Sequence, residues 1–322
     1  MKSIAVLTSG GDAPGMNAAI RAVTRYALVN GVEVYGIRRG YCGLIEDEFV
    51  ELQLSSVANL IQRGGTTLLT ARSEEFRTPE GRKKAATNLK KRDIDGLVVI
   101  GGDGSFRGAQ KLSEEHKVKV VGVPGTIDND IYGTEATIGF DTAINTALEA
   151  IDRIRDTASA HERTFIVEVM GRDCGEIALY VGVGGGAEVI SIPEKPTSVL
   201  EMAEAVRYSL KRGKLGSLIV VSEAGKPGHS YELAKKLEAE VKSPVRVVVL
   251  GHIQRGGTPT ARDRAIASAL GIGSVRRLIA GRSDLMVGIK GDLVVDTPLS
   301  EVVSKKKEIR LDYYEMAQIL SK

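Results

Sequence analysis

Short apolar runs alternate along this chain with longer amphipathic stretches. The runs at residues 4–7, 96–100, 118–123, 164–169, 218–221 and 245–250 are brief, rich in β-branched residues and bounded by Gly, Asp or Pro. That pattern predicts strands buried on both faces. Between the runs the period changes. Positions 140, 144, 147, 148, 151 and 154 are apolar and form one stripe at helical spacing, which predicts a helix over 140–154. Strands alternating with helices argue for parallel sheets covered by helices on both faces. Open sheets of this kind bind ligands beyond the carboxyl ends of their strands.

Three glycine turns stand at those ends. The first, Thr8-Ser9-Gly10-Gly11-Asp12-Ala13-Pro14-Gly15, follows a strand and leads into a predicted helix over 16–29. Glycines let the backbone approach an anion, and the N–H groups at a helix start complete a phosphate site. An ordinary strand–turn–helix joint would look the same. The second turn, Gly101-Gly102-Asp103-Gly104-Ser105, precedes a helix expected through 107–112. A carboxylate inside a phosphate-binding turn calls for a cation between them, and Mg²⁺ is held by few carboxylates plus phosphate oxygens. Asp103 is therefore the candidate metal residue, with a helix N-cap as the alternative. The third turn, Pro124-Gly125-Thr126-Ile127-Asp128-Asn129-Asp130, places two carboxylates two residues apart, on one side of an extended turn. Phosphoryl transfer to an alcohol needs one carboxylate to take the hydroxyl proton. Asp128 is the candidate base, with Thr126 and Asp130 beside it. An Asx turn is the structural alternative.

Arginines supply the countercharge. Arg72, Arg163, Arg172, Arg246 and Arg255 each stand near a turn or strand end, and guanidinium groups suit bidentate phosphate recognition. Arg21 and Arg25, four apart on the first helix, share a face opposite Ile20, Val23 and Ala27. Lys211-Arg212-Gly213-Lys214 forms a basic turn after a helix. On residue type alone, both basic groups read as solvated faces. One hexapeptide recurs: Ile61-Gln62-Arg63-Gly64-Gly65-Thr66 returns as Ile253-Gln254-Arg255-Gly256-Gly257-Thr258, each copy followed by Thr-Ala-Arg. Two similar turns would explain this without a duplicated domain.

Composition narrows the partners. A net charge of +3 over 322 residues gives no reason to expect nucleic acid or a membrane. No apolar run reaches the 18 or so residues of a membrane span. The N-terminal run is too short for a signal segment, and two cysteines, Cys42 and Cys174, suit a reduced compartment. The expectation is a cytoplasmic protein.

The segments TSGGDAPGMNAAIRA (8–22), GGDGS (101–105), PGTIDND (124–130), HERTFIVEVMGR (161–172) and GHIQRGG (251–257) resemble the bacterial ATP-dependent 6-phosphofructokinase family over essentially the whole chain. The resemblance implies an α/β fold: two three-layer α/β/α domains with mostly parallel sheets and the active site in the cleft between them. The larger, ATP-binding domain would comprise 1–139 and 252–303, the smaller, sugar-phosphate-binding domain 140–251 and 304–322. It implies a homotetramer that transfers the γ-phosphoryl group of MgATP to the C1 hydroxyl of fructose 6-phosphate. Carried over by residue, Gly11, Arg72, Ser73, Gly102, Asp103, Gly104 and Ser105 look like the ATP site, with Tyr41 near the adenine and Asp103 on Mg²⁺. Thr126, Ile127, Asp128, Asp130, Met170, Gly171, Arg172, Glu223, His252 and Arg255 look like sugar-phosphate contacts. Arg163 and Arg246 look like contacts lent by a neighbouring subunit. Asp128, Thr126, Arg72 and Arg172 look catalytic.

The basic groups gain a meaning by the same route. Arg21, Arg25, Arg155, Gly186, Glu188, Arg212 and Lys214 match the family's effector site for ADP and phosphoenolpyruvate. Asn59 departs from the pattern, standing where some members carry Asp. Pyrophosphate-using relatives tend to carry Asp at the position of Gly104 and Lys at that of Gly125, so the two glycines favour ATP. Other GGDG kinases, such as NAD kinases and diacylglycerol-type lipid kinases, lack PGTIDND with a downstream MGR. A non-catalytic sugar-phosphate sensor would not need Asp103 and Asp128 together.

Overall fold

The computed structural model describes residues 1–161 and 163–320. The chain forms two compact units. One comprises Met1–Thr142 and Arg255–Lys307, the other Ala143–Gln254 and the segment from Glu308 onward. Among the described residues no helix is long and apolar enough to cross a membrane.

The first unit is built on seven strands: β1 (Ser3–Ser9), β2 (Glu33–Ile37), β3 (Phe49–Glu51), β4 (Gly96–Gly101), β5 (Val120–Pro124), β10 (Leu285–Lys290) and β11 (Leu293–Pro298). Their order is β11-β10-β5-β4-β1-β2-β3. The five inner strands are parallel, and β3 and β11 pair antiparallel at the two edges. Every residue of β1 and β4 is buried, which is why these strands read as unbroken apolar runs. Chain order reverses at β1, with β2 on one side and β4 on the other, so the crevice beyond its end is a switch point. The register Ser9↔Gly101↔Pro124 ends β1, β4 and β5 level with one another. The three glycine turns therefore emerge side by side.

Helices follow the strands. Met16–Val29 buries Ile20, Val23 and Ala27 and leaves Arg21 and Arg25 half-exposed, as the helical spacing requires. Asp103–His116 starts earlier than the sequence suggests. Gly102 is its N-cap and Asp103 its first residue, so the second turn is already helix. The glycines hid this start because they lower helix propensity. Asp103 is thus not the cap itself, but its charge lies at the positive end of the helix dipole. Phe140–His161 begins in the first unit and continues in the second. Asp263, which is fully buried, accepts backbone N–H groups at the start of this helix. Asp263 accepts the Gly139 N–H (2.9 Å), the Thr142 N–H (2.8 Å) and the Thr142 hydroxyl (2.5 Å). Burial pushes its carboxyl above the ordinary value, against the pull of those three donors.

The second unit carries four parallel strands, β6 (Thr164–Val169), β7 (Val189–Ser191), β8 (Ser217–Ser222) and β9 (Val245–Val249), in the order β7-β8-β6-β9. Helix Val199–Lys211 opens with a reciprocal cap between Ser198 and Glu201. Ile166, Ile219 and Val221 of the sheet pack with Met202, Ala203 and Val206 of that helix. The core here is small and aliphatic.

Candidate active site

The first and second turns touch. A Cβ on Gly101 would lie 2.5 Å from the Ser105 Oγ and 2.6 Å from the Ser9 carbonyl oxygen, so only glycine fits between β1 and the helix start. Gly10 adopts φ 88°, open to glycine at no steric cost. Gly11 lies against Arg255, whose Nη1 donates to the Asp12 carbonyl (3.3 Å). The loop before Arg72 is bound to the same turn: Thr70 Oγ1 donates to Gly10 O (2.7 Å) and Thr8 Oγ1 to Leu69 O (2.9 Å). Arg72 itself is exposed, and the Ser73 hydroxyl accepts the Phe76 N–H (3.2 Å).

Tyr41 forms the floor on this side. Its hydroxyl donates to Ser105 O (2.6 Å), and its ring stacks on Phe76 with centroids 3.8 Å apart. The ring is buried, which pushes its phenol far up, so it stays a neutral donor. Phe76 was not singled out by the sequence; no local pattern marks a stacked wall. Behind it, the buried Arg82 binds the Phe76 and Arg77 carbonyls and makes a bidentate pair with Glu115.

Asp103 is half-exposed and takes Arg107 Nε at 2.9 Å. A Cβ on Gly104 would meet nothing within 4 Å, so the space beside Asp103 is open. Among the described residues no group of three or more His, Cys, Asp or Glu is assembled to hold a metal. One carboxylate at the mouth of a glycine cradle suits Mg²⁺, which is held by one or two carboxylates together with phosphate oxygens and waters.

The third turn joins the second. Gly125 N donates to Gly101 O (2.9 Å), and a Cβ on Gly102 would stand 3.6 Å from the Thr126 Cβ. Thr137 Oγ1 holds the Thr126 carbonyl (2.6 Å), and Thr126 Oγ1 accepts the Asp128 N–H (3.2 Å). Ile127 and Asp128 are buried, Asp128 with 3% exposure; Asp130 is half-buried. The turn is not extended as expected. Asn129 between the two carboxylates takes φ 52°, a left-handed conformation that Asn tolerates. Asp128 and Asp130 therefore do not share one face as they would along a strand, and their burial differs.

In the second unit, the loop after β6 carries Met170, Gly171 and Arg172. Gly171 has φ 138° and Arg172 φ 53°, two successive left-handed residues. Glu223, buried after β8, accepts the Arg172 N–H at 3.0 Å. His252 is exposed in the short 3-10 turn Gly251–Arg255. Arg163 and Arg246 are not in this group. They stand at the amino ends of β6 and β9, where Thr164 pairs with Val245 and Phe165 with Arg246. Six residues of strand at about 3.3 Å each put them roughly 20 Å from the loop after β6.

Of the seven residues of the expected effector group, five lie in this unit and make contacts within it. Arg155 Nε donates to Gly185 O (2.7 Å), and its Nη2 to Gly186 O. The buried Glu188 takes Lys214 Nζ (2.8 Å) and the Leu218 N–H (2.6 Å). The Arg212 guanidinium lies over the Tyr208 ring at 5.5 Å. Arg21 and Arg25 belong to the other unit. Asn59 is exposed with φ 55°.

Level glycine turns at the switch point of a parallel sheet, one bearing a carboxylate and the next a buried Asp, define an α/β enzyme built for phosphate chemistry. The model of the family described as phosphofructokinase matches residues 3–278. The chain is 58% identical over 322 residues to an ATP-dependent 6-phosphofructokinase of Thermus thermophilus, covering all of both chains. It is 55% identical over 321 residues to an ATP-dependent 6-phosphofructokinase of Clostridioides difficile, again over all of both. Among solved structures, phosphofructokinase from Saccharomyces cerevisiae superposes with a TM-score of 0.88 at 37% identity, covering 94% of this chain and 45% of the yeast chain. A pyrophosphate-dependent phosphofructokinase from Marinobacter aquaeolei gives 0.88 at 24% identity, over 97% of this chain and 86% of that one, a likeness of fold alone. This chain belongs to the phosphofructokinase family.

Proposed function

We propose that this chain transfers the γ-phosphoryl group of MgATP to the C1 hydroxyl of D-fructose 6-phosphate, giving fructose 1,6-bisphosphate and ADP, with Asp128 as the general base. The observation that carries this reading is the contact between the second and third turns, Gly102 against Thr126. It sets a phosphate cradle and a buried carboxylate next to each other, as a donor and an acceptor hydroxyl would need. In this reading Gly11 and 102–105 cradle the phosphates, with Tyr41, Arg72 and Ser73 beside them. Asp103 would hold Mg²⁺, which when bound offsets the charge of the phosphate oxygens. Thr126 orients the turn through its hydrogen bond to Asp128 N. Asp128 takes the C1 hydroxyl proton as the O–P bond forms. Arg72 and Arg172 offset the charge that develops on the transferring group.

Met170, Gly171, Arg172, Glu223 and His252 of the second unit, with Ile127, Asp130 and Arg255 of the first, then bind the sugar phosphate. The first unit takes ATP and the second most of the sugar phosphate. The distant Arg163 and Arg246 fit a role in a neighbouring copy, within a homotetramer. Arg21, Arg25, Arg155, Gly186, Glu188, Arg212 and Lys214 would bind ADP or phosphoenolpyruvate. A cytoplasmic location suits the substrates, and neither cysteine is in a disulfide among the described residues.

The experiment is phosphoryl transfer to fructose 6-phosphate with ATP and pyrophosphate side by side, and with Asp128→Ala. Product with ATP alone, and a kcat on the order of 10²–10⁴ lower in the variant with substrates still bound, is expected. Turnover with pyrophosphate overturns the donor; an unchanged kcat removes Asp128 from the chemistry.

A further inference from the structure

Gln254 sits in the GHIQRGG segment between two residues given to the sugar phosphate, and neither the motif nor the proposed chemistry assigns it a role. Its side chain is fully buried. In a 3-10 helix, residues three apart eclipse one another, so positions 252 and 255 share one edge of the turn Gly251–Arg255 and position 254 points elsewhere. It points at the loop after β6. Gln254 Oε1 accepts the Met170 N–H at 2.8 Å, a buried bond spanning 84 residues of chain.

That loop needs holding. Arg172 is a non-glycine residue at φ 53°, directly after Gly171 at φ 138°. Such conformations are costly and persist where surrounding contacts over-determine them. A Cβ on Gly171 would lie 2.4 Å from Cys174 O, so the bend cannot be shared with a larger residue. Among the hydrogen bonds that hold the loop are Cys174 N to Gly171 O (2.9 Å), Arg172 N to Glu223 Oε1 (3.0 Å), Gly175 N to Glu194 Oε1 (3.1 Å) and Met170 N to Gln254 Oε1. The last acts at the residue next to Gly171 and Arg172 and comes from a side chain with no other part in the reading.

The other end of the amide sharpens the point. Gln254 Nε2 is buried and has no hydrogen-bond partner among the described residues. An unpaired buried donor destabilises a fold, and an apolar side chain of this size would avoid it. Stability alone does not favour glutamine here.

We propose that Gln254 is a positioning residue for sugar-phosphate binding: it locks the backbone at Met170 and so keeps Arg172 in the left-handed conformation that presents its guanidinium. This rests on the reading of residues 170–172 as sugar-phosphate contacts. The test uses the full chain with Gln254→Met, Gln254→Asn and Gln254→Glu, and Arg172→Ala in parallel. Met removes the acceptor and Asn withdraws it by one methylene, while Glu keeps an acceptor oxygen in place. Expected are a KM for fructose 6-phosphate raised roughly ten- to a hundredfold in the Met and Asn variants, an unchanged KM for ATP, and near-native values in Gln254→Glu. Amide exchange in the segment after β6 quickens in Met and Asn alone. Unchanged KM and exchange in those two variants overturn the proposal. So does a parallel rise in both KM values with a lowered Tm, the mark of general loosening. If Arg172→Ala leaves the KM for fructose 6-phosphate untouched, the reading beneath the proposal fails instead, and the proposal with it.

Discussion

Gly11 lies so close beneath Arg255 that a Cβ on the glycine would stand 2.5 Å from the guanidinium Nη1 and 3.1 Å from its central carbon. The obstacle is the end of a flexible side chain, so Gly11→Ala should displace Arg255 rather than disrupt the fold. We expect a raised KM for fructose 6-phosphate and a Tm close to that of the parent protein. Steady-state kinetics with both substrates, beside thermal unfolding, decide it. A loss of stability with unchanged KM would mean that the backbone, not Arg255, absorbs the added methyl.

Gly104 poses the opposite case. A side chain there meets nothing within 4 Å, so Gly104→Asp should fold normally while placing a negative charge in the proposed phosphate cradle. The expected result is a KM for ATP at least about tenfold higher, with the KM for fructose 6-phosphate little changed. The Gly125 position differs, since a Cβ there would meet Ile100 Cγ2 at 3.0 Å and Met16 Cε at 3.2 Å. Gly125→Lys should therefore lower Tm as well as ATP use.

Arg212 stands over Tyr208 in an exposed turn. This cation–π pair adds little to stability, because exposed pairs contribute about 1 kcal/mol or less. Arg212→Ala should blunt the response to ADP and phosphoenolpyruvate while substrate saturation without effectors persists. Initial rates over an effector titration test this. A full response in the variant removes Arg212 from the effector group.

Asp263 makes stability depend on pH in a direction unusual for a carboxylate. Burial raises its folded-state value above the unfolded one. Below the ordinary value, about 3.9, both states hold the proton. As pH rises past it the unfolded chain ionises first, so this group's contribution to stability falls until the folded carboxyl ionises too. Asp263→Asn does not titrate, and it turns an amide donor towards the Gly139 or Thr142 N–H. The variant should be less stable throughout, with its deficit largest in acid and narrowing as pH rises. Urea unfolding of both proteins from about pH 3 to 7 measures this. A deficit that widens with pH would show that the three donors outweigh burial.

Much of the fold was legible because its inner strands are buried on both faces and read as apolar runs: β6 falls on residues 164–169 as expected, and β1, β4 and β8 extend the expected runs by one or two residues at their ends. The run at 118–123 forms a strand only from Val120, since Lys117 ends the preceding helix at φ 57°. The edges were harder to see. β3 is only three residues long and largely exposed, so it lacks an apolar signature. The β10–β11 hairpin did leave a sign, two residues, Gly291-Asp292, between its strands, with Gly291 at φ 59°. At the candidate site the glycine turns were the visible signal, and the strand register sets the three of them side by side. The side chains that brace it from behind did not stand out. Asp263, Gln254 and Arg82 act through long-range bonds, and a burial that depends on chain segments 33 to 124 residues away has no local pattern.

The recurring hexapeptide has a consequence of its own. Its two copies meet: a Cβ on Gly64 would come within 2.3 Å of the Gly257 carbonyl oxygen and 3.1 Å of its carbon. Asn17 fastens the first copy from beneath, through the Arg63 and Gly64 carbonyls and the Thr67 N–H. The obstacle at Gly64 is main chain, which cannot swing aside as a long side chain can. The constraint is one-sided: no side chain fits at Gly64 unless the backbone of the second copy moves, whereas a Cβ on Gly257 would meet nothing within 4 Å. Glycine is thus required in the two copies for different reasons, by lack of room at Gly64 and by the left-handed φ of 93° at Gly257, so the same letters in two places answer to separate physical demands.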